Sequence, residues 1–506
     1  MNRSISPHML INWRTRLISN PRLLFFFFII GVLSRIPFRS QWLYHWDSIN
    51  FALGMEHFDV RFHQPHPPGY LLYILLGRFV KLLLHDPNAS LVWISIIMGG
   101  LTISTLYYLG NRLFGHSEAV LAASLALTSP AVWFYSEVAL TYILEAFFVT
   151  AIALACLETL RGNWRLAFLS ALLLGLAGGI RQTTLILMLP LWLFSLRRCH
   201  WRSIVLAILL LGTTVLAWLV PTILLSGGLQ SYLEASRSIG GGVLADFELF
   251  NAGGSLLVRF SPFIRLGVYM TYGLMLGLIP LLWGLTLGIK HLPALWRRWL
   301  KDERFHVLAL WLVPNLMFYA PLVRAPGHTF SFLPALILLV SAALIKFSRS
   351  IATYTKRSIP ATILALTSII LVVNVVFFVA APPYLFGVRR VVTTTPGWQT
   401  IKYRDQYISD RVNYITRNFQ APATAILANG PDFRHPNFYL RDYPIVTPPG
   451  PIPSGVNMLV LFSGELTSQQ DNTQSIMLSS GERLLYLPVE ENNKVFLNGT
   501  EVIISP

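Results

Sequence analysis

Long apolar runs separated by short, mostly basic loops fill the chain up to about residue 381. About twenty apolar residues in a helix cross the roughly 30 Å hydrocarbon core of a bilayer. The pattern therefore predicts an all-α polytopic membrane domain over residues 23–381, with about eleven transmembrane helices. The predicted spans are 23–38, 90–110, 118–135, 138–159, 166–180, 183–196, 203–225, 264–288, 305–322, 328–346 and 360–381.

Basic residues concentrate in alternate loops, and basic loops face the cytoplasm in membrane proteins. The clusters are Arg14/Arg16/Arg22, Arg161/Arg165, Arg197/Arg198/Arg202, Lys290/Arg297/Arg298/Lys301/Arg304 and Lys346/Arg349/Lys356/Arg357. Placing all of them on one side predicts a cytoplasmic N-terminal segment, residues 1–22, and an external C-terminus.

This placement holds only if the apolar stretch Tyr70–Leu84 does not cross the membrane. The stretch is short and contains Arg78 and Lys81, which favours a helix lying along the membrane surface. The first external loop then runs over residues 39–88.

Residues 166–196 have basic flanks on both sides and must cross twice. Gly178-Gly179-Ile180-Arg181-Gln182 is then a tight apex near the outer surface, where Arg181 has no evident partner. Arg181 either belongs to a site or extends its side chain to the lipid headgroups.

The pattern changes from about residue 382, where prolines and short β-type runs replace the long apolar spans. Arg404–Phe419 has the periodicity of an amphipathic helix. Residues 382–506 are therefore predicted to form a small external α/β domain. The predicted strands are Ala425–Ala428, Met458–Phe462, Leu484–Leu487, Val495–Leu497 and Val502–Ser505.

Composition excludes a soluble globular protein, because 54% of the 506 residues are hydrophobic and only 12% are charged. The net charge of +16 arises mainly in the loops between spans, where membrane topology explains it, so no nucleic-acid partner is expected. Cys156 and Cys199 form neither a disulfide framework nor a metal-binding spacing.

Asp47 lies within ten residues of the first span, among Trp42, Tyr44, His45 and Trp46. One interpretation is a helix N-cap before Ile49–Met55. The other is a catalytic carboxylate, because polar residues at the same membrane face accompany it.

The same loop contains His57, His63 and His66. His66-Pro67-Pro68-Gly69 cannot start a helix, because proline disfavours the α conformation in the residue before it. The motif forms a rigid corner that fixes His66. The histidine spacing does not specify a metal, so no cofactor is predicted and a divalent metal stays open.

Two further sets of polar residues fall on the same predicted face. Glu137 and Tyr142 flank a short external turn, and Glu145, eight residues after Glu137, should point the same way along a helix. Arg181, Arg324 and His328 could line a cavity that binds an anion, although each of them alone is better explained as a contact with a lipid headgroup.

The order of these motifs resembles the GT-C class of integral membrane glycosyltransferases over roughly residues 20–350. It is most similar in style to the dolichyl-phosphate-mannose-dependent protein mannosyltransferases and the bacterial lipid A aminoarabinose transferase. The motifs are the early Asp47, His66-Pro67-Pro68-Gly69-Tyr70 with its surface helix, Leu109-Gly110-Asn111-Arg112-Leu113-Phe114-Gly115, and Ser129-Pro130 followed by Tyr135-Ser136-Glu137. The resemblance implies polyprenyl-phosphate-sugar donors, inversion at the anomeric carbon and an external active site, with the acidic residue of the first loop at Asp47. Many members have a second acid at the next position, which is Ser48 in this chain.

The resulting hypothesis is an inverting glycosyltransferase of the bacterial inner membrane with a periplasmic active site. Asp47 is the predicted base that activates an acceptor hydroxyl of a lipid, glycan or protein. His66, Glu137 and Tyr142 would orient the sugar or the acceptor, while Arg181, Arg324 and His328 would hold the donor phosphate. The alternatives are a transporter or flippase of a lipid-linked or anionic solute and a structural membrane subunit. The sequence identifies neither the sugar nor the acceptor.

Overall fold

A computed structural model describes residues 20–237, 256–290, 302–382, 395–428, 432–446, 452–463, 473–489, 495–497 and 500–502. The predicted cytoplasmic segment 1–22 lies almost entirely outside the described residues. So do all residues of the predicted strand Val502–Ser505 except Val502.

Fifteen α-helices form the part that precedes residue 382 in the described ranges. They are α1 (Pro21–Leu33), α2 (Trp46–Glu56), α3 (Leu71–Leu84), α4 (Pro87–Leu113), α5 (His116–Thr128), α6 (Pro130–Tyr135), α7 (Tyr142–Leu160), α8 (Leu166–Ile180), α9 (Gln182–Ser195), α10 (Trp201–Leu225), α11 (Leu256–Leu274), α12 (Leu278–Lys290), α13 (Glu303–Leu322), α14 (Leu333–Thr355) and α15 (Ile359–Ala380). This confirms the predicted all-α membrane domain.

Every predicted span coincides with helix, but not every helix is long. Eight stretches of the described residues are long and apolar enough to cross a membrane. The predicted spans 118–135, 166–180 and 183–196 correspond to shorter helices. In the first of these, Ser129 adopts an extended conformation before Pro130, so α5 ends and α6 begins at that point.

The outer faces of the helices are apolar, as lipid contact requires. In α10, Leu206, Leu209, Leu216 and Leu224 all expose more than half of their side chains. A helix that is apolar on every side belongs in a membrane or a protein core.

Helix α3 packs one face against the protein and exposes an apolar face on the other side. Leu75, Phe79, Leu82 and Leu83 form the exposed face. On the inner side, Arg78 donates hydrogen bonds to the carbonyl oxygens of the last turn of α2. At 14 residues the helix is about 21 Å long, shorter than a bilayer core. Its position along the membrane surface stays a prediction.

The C-terminal part forms a small α/β domain, as predicted. Its elements are α16 (Trp398–Asn418), β1 (Thr424–Ala428), α17 (His435–Tyr439), β2 (Ile445–Val446), β3 (Met458–Ser463), β4 (Gln474–Met477), β5 (Arg483–Pro488), β6 (Val495–Leu497) and β7 (Thr500–Val502). Five strands form one sheet in the order β2-β1-β3-β5-β4, and β6 pairs with β7. β1 is parallel to β2 and β3, whereas β5 is antiparallel to β3 and β4.

Helices α1 and α4 cross at two glycines, which lets their backbones approach closely. A Cβ atom on Gly31 would lie 3.0 Å from the Cα of Gly100. A Cβ atom on Gly100 would lie 2.8 Å from Cγ2 of Val32 and 3.0 Å from the carbonyl oxygen of Phe28. Any larger residue at position 100 must push the two helices apart.

We expect Gly100→Leu to destabilise the protein by about 1–3 kcal/mol through overpacking at this crossing. Thermal unfolding in detergent measures the change. Gly212→Leu is the matched control, because a Cβ on Gly212 in α10 has no neighbour within 4 Å. Equal melting temperatures for the two variants would contradict the close packing of α1 against α4 at Gly100.

Candidate active site

Helix α2 carries Asp47 at its first turn. The Nδ1 atom of His45 accepts the backbone N–H of Asp47 at 3.2 Å, so His45 is the N-cap and the helix begins at Trp46. The N-cap interpretation of Asp47 is therefore wrong. Its carboxylate instead lies beside the positive end of the helix, which favours the ionised form.

His66 connects this carboxylate to a tyrosine. Its Nδ1 atom lies 3.3 Å from Oδ1 of Asp47, and its Nε2 atom lies 3.1 Å from the hydroxyl of Tyr70. The ring of Phe51 packs against both aromatic rings. The predicted corner thus places His66 against Asp47.

The corner has an unusual backbone at its end. Gly69 and Tyr70 both have positive φ angles, of 115° and 49°. Such angles are uncommon for residues other than glycine, and they concentrate at functional sites. On the other side of the turn, the carbonyl oxygen of Pro68 accepts hydrogen bonds from Gln182 and Tyr232 at 3.3 and 3.2 Å.

Asp47 and His66 differ in their charge at neutral pH. Burial opposes ionisation of Asp47, but the neighbouring His66, His45 and Arg181 hold its pKa well below the usual range. Burial lowers the pKa of His66, although the Asp47 carboxylate opposes that shift. Asp47 is therefore an ionised carboxylate beside a neutral imidazole.

Arg181 lies at the break between α8 and α9, and the structure gives it partners that the sequence did not reveal. Its Nε atom is 2.9 Å from Oε2 of Glu145, and its Nη1 donates to Oγ1 of Thr141 at 3.2 Å. The guanidinium also lies over the ring of Tyr142, 4.5 Å from its centre. Thr184 donates to the other oxygen of Glu145.

His328 also packs against Tyr142, with ring centres 6.0 Å apart. Gly327 permits this approach, because a Cβ atom there would overlap the ring of Tyr142. The backbone N–H of Arg324 donates to Nδ1 of His328 at 3.3 Å, so the neutral ring carries its proton on Nε2. Burial, with the charges of Arg181 and Arg324, lowers the pKa of His328 to about 3.

The charge of Arg181 connects these residues electrostatically, because it acts on Asp47, on His66 and on His328. The structure thus brings together six of the seven predicted residues. They are Asp47, His66, Tyr142, Arg181, Arg324 and His328.

Glu137 has a different environment. It is fully buried beside Arg35 and Trp133. Residues 136–141 are not helical, because α7 begins only at Tyr142. The helical spacing that was expected to align Glu137 with Glu145 therefore does not apply. Glu137 instead supports the first loop, because its carbonyl oxygen accepts the backbone N–H of Ser40 at 3.0 Å.

The histidines of the first loop do not assemble a donor set for a metal. Within the described ranges, no group of three or more His, Cys, Asp or Glu side chains is placed to hold an ion. At the position where many GT-C proteins have a second acid, Ser48 is fully buried.

Sequence reasoning did not assign a role to Tyr70 or to the Glu145–Arg181 pair. The sequence shows that Tyr70 follows His66 by four residues, but it does not show the left-handed backbone conformation of Tyr70. Glu145 lies within the predicted span 138–159, where the sequence does not identify its partner.

Comparisons with known proteins agree with the predicted fold. Residues 65–225 match the family model described as dolichyl-phosphate-mannose-protein mannosyltransferase. A comparison with curated protein sequences gives no match. The fold is similar to the crystal structure of ArnT from Cupriavidus metallidurans bound to undecaprenyl phosphate, with a TM-score of 0.51 and 13% identity, covering 92% of this chain and 97% of that one. The apo structure of the same protein gives a TM-score of 0.50 at 13% identity, covering 92% and 98%.

At this identity the likeness concerns the fold, and it extends over nearly the whole length of both chains. The family match lies within the membrane domain and includes His66, Tyr142 and Arg181. The chain therefore has the GT-C type of fold, as the order of its motifs predicted.

Proposed function

We propose that the protein is an inverting glycosyltransferase that moves a sugar from a polyprenyl-phosphate carrier to an acceptor hydroxyl, with Asp47 as the base. The external, periplasmic face of a bacterial inner membrane is the proposed location. The observation that carries the proposal is geometric: the partly exposed Asp47 carboxylate lies at the first turn of α2, 3.3 Å from Nδ1 of His66. The nearby charge of Arg181 favours its ionised form. ArnT, which shares the fold, binds undecaprenyl phosphate.

In the proposed reaction, the acceptor oxygen attacks the anomeric carbon while the bond to the carrier phosphate breaks. The hydroxyl proton passes to Asp47, and the electron pair of the broken bond leaves with the polyprenyl phosphate. A phosphate is a good leaving group, so one carboxylate suffices, unlike the pair that glycoside hydrolases use. The side chain of Asp47 is 20% exposed, so an acceptor hydroxyl could reach its carboxylate.

His66 and Tyr70 would keep the base in place. The hydroxyl of Tyr70 can donate to Nε2 of His66, which leaves the ring proton on Nδ1, facing Asp47. A proton on Nδ1, 3.3 Å from Oδ1 of Asp47, would favour the ionised carboxylate and restrict its orientation.

Arg181, Arg324 and His328 would hold the carrier phosphate. The pairing with Glu145 and the stacking on Tyr142 fix the Arg181 guanidinium before the substrate binds. The Nε2–H of His328 adds a donor that stays neutral across the physiological pH range.

We expect Asp47→Asn to lower turnover by about 100-fold or more, because an amide cannot accept the proton. Membranes incubated with a panel of polyprenyl-phosphate sugars, with products identified by mass spectrometry, measure the change. Asp86→Asn is the control: Asp86 is the N-cap of α4 in the same loop, and asparagine caps equally well. An active Asp47→Asn variant would contradict the assignment of Asp47 as the base.

Tyr70→Phe removes only the hydroxyl that reaches His66. We expect turnover to fall by about 10-fold, with a changed pH profile, because the orientation of the imidazole is lost. Tyr73→Phe is the matched control, since Tyr73 also packs on Phe51 and is fully buried. Identical pH profiles for the two variants would argue against a role for the His66–Tyr70 contact.

Arg181→Gln should weaken the binding of a short-chain polyprenyl phosphate by about 10-fold or more, because a charge-assisted donor is lost. Binding can be measured by thermal stabilisation of the purified protein. Arg198→Gln is the control. Arg198 pairs with Glu303, and both residues belong to loops that are predicted to face the cytoplasm, on the opposite side of the membrane from the proposed site. Unchanged affinity in Arg181→Gln would remove Arg181 from the phosphate site.

A further inference from the structure

The backbone that precedes Asp47 is held by the C-terminal domain. One carboxylate on α16, that of Asp405, accepts three hydrogen bonds from consecutive residues of the first loop. The donors are Oγ of Ser40 at 2.8 Å, the N–H of Gln41 at 2.7 Å and the N–H of Trp42 at 3.1 Å. Residues 40–44 have no helix or strand of their own to satisfy these groups.

The next two residues of the loop are also bound through their main chain. The hydroxyl of Tyr439 accepts the N–H of Leu43 at 2.9 Å, and Nε2 of His435 lies 3.0 Å from the carbonyl oxygen of Leu43. Arg404 donates to the carbonyl oxygen of Tyr44 at 3.2 Å and pairs with Asp432 at 2.6 Å. Every residue from 40 to 44 thus contacts the C-terminal domain.

The other end of α2 is bound as well. Arg441 forms two hydrogen bonds with the carboxylate of Glu56, the last residue of the helix, at 2.6 and 3.0 Å. The helix that carries Asp47 is therefore fixed at both ends by residues far away in the sequence.

We propose that Asp405 is a positioning residue for glycosyl transfer: by binding residues 40–42 it sets the position of α2 and hence of the Asp47 carboxylate. The catalytic consequence rests on the function proposed above. The structural claim, that Asp405 orders the segment before Asp47, does not depend on the proposed function.

The geometry assigns this role to Asp405 rather than to domain packing in general. The three hydrogen bonds share one acceptor group, so a single substitution releases all of them. The donor-phosphate residues Arg181 and His328 belong to other parts of the chain. Loss of Asp405 should therefore impair turnover without weakening donor binding.

The contact should also depend on pH. Burial raises the pKa of Asp405 to about 6, although its three hydrogen bonds favour the ionised form. The titratable groups around it are Arg404, which is paired with Asp432, and the hydroxyls of Tyr44 and Tyr439. Because burial raises this pKa above its usual value, the bound state of the segment holds the proton more tightly than the released state does, so the contact should weaken as the pH rises through about 6.

The test compares Asp405→Ala and Asp405→Asn with Asp410→Ala in the full-length protein. Asp410 is the matched control, because it lies on the same helix but accepts hydrogen bonds from Ser479 and Ser480 within the C-terminal domain. Asparagine keeps the size of the side chain, so Asp405→Asn tests the contact even where alanine prevents folding.

Hydrogen–deuterium exchange measures directly whether Asp405 orders residues 40–42. Asp405→Ala should lose about 10-fold or more of the protection of both the Gln41 and the Trp42 amides, because both acceptor oxygens are removed. Asp405→Asn should lose that of at least one of them, because asparagine keeps a single acceptor oxygen, and Asp410→Ala should lose neither. Turnover should fall by about 10–100-fold in the Asp405 variants, as misplacement of a catalytic group by about 1 Å can cause. Affinity for a short-chain polyprenyl phosphate should stay within about two-fold of wild type.

Unchanged amide protection in both Asp405 variants would overturn the proposal, and so would a loss of turnover explained entirely by weaker donor binding. A wild-type protein that transfers no sugar would overturn the proposed function instead. In that case the exchange measurement would still decide whether Asp405 orders the loop.

Discussion

A carboxylate remains ionised in a largely apolar protein only where nearby charges and dipoles offset its burial. Asp47 meets this constraint through the first turn of α2, the imidazole of His66 and the charge of Arg181. These contributions come from separate parts of the chain, so each part must be held in register with the others. Much of the first loop follows from this requirement: the capped start of α2, the proline corner and the left-handed Tyr70.

The two domains share this task. Transmembrane helices supply Arg181 and its partner Glu145, while the loop between α1 and α4 supplies Asp47 and His66. That loop has little regular structure apart from α2 and α3, and its main-chain groups find partners on the C-terminal domain. A small α/β domain beside a helical membrane domain is therefore part of how the site is built.

The sequence was sufficient for features that depend on long-range patterns. Apolar run length predicted the membrane helices, and the composition change near residue 382 predicted the second domain. The order of short motifs predicted the GT-C fold. Side-chain pairing was not predictable, because it depends on local backbone breaks. The irregular segment 136–141 separates Glu137 from Glu145, and no periodicity reveals which arginine each carboxylate meets.

The pairing of Arg181 with Glu145 has a consequence for how an anion would bind. The pair is neutral overall, and the side chain of Glu145 is completely buried, so the attraction for a phosphate cannot come from an isolated positive charge. It must come from directed donors: the remaining guanidinium N–H groups of Arg181 and the Nε2–H of His328. Because Glu145 and Tyr142 already fix the guanidinium, little side-chain entropy is lost on binding. Such a site would favour a tetrahedral phosphate held in one orientation over anions in general, as the proposed transfer requires.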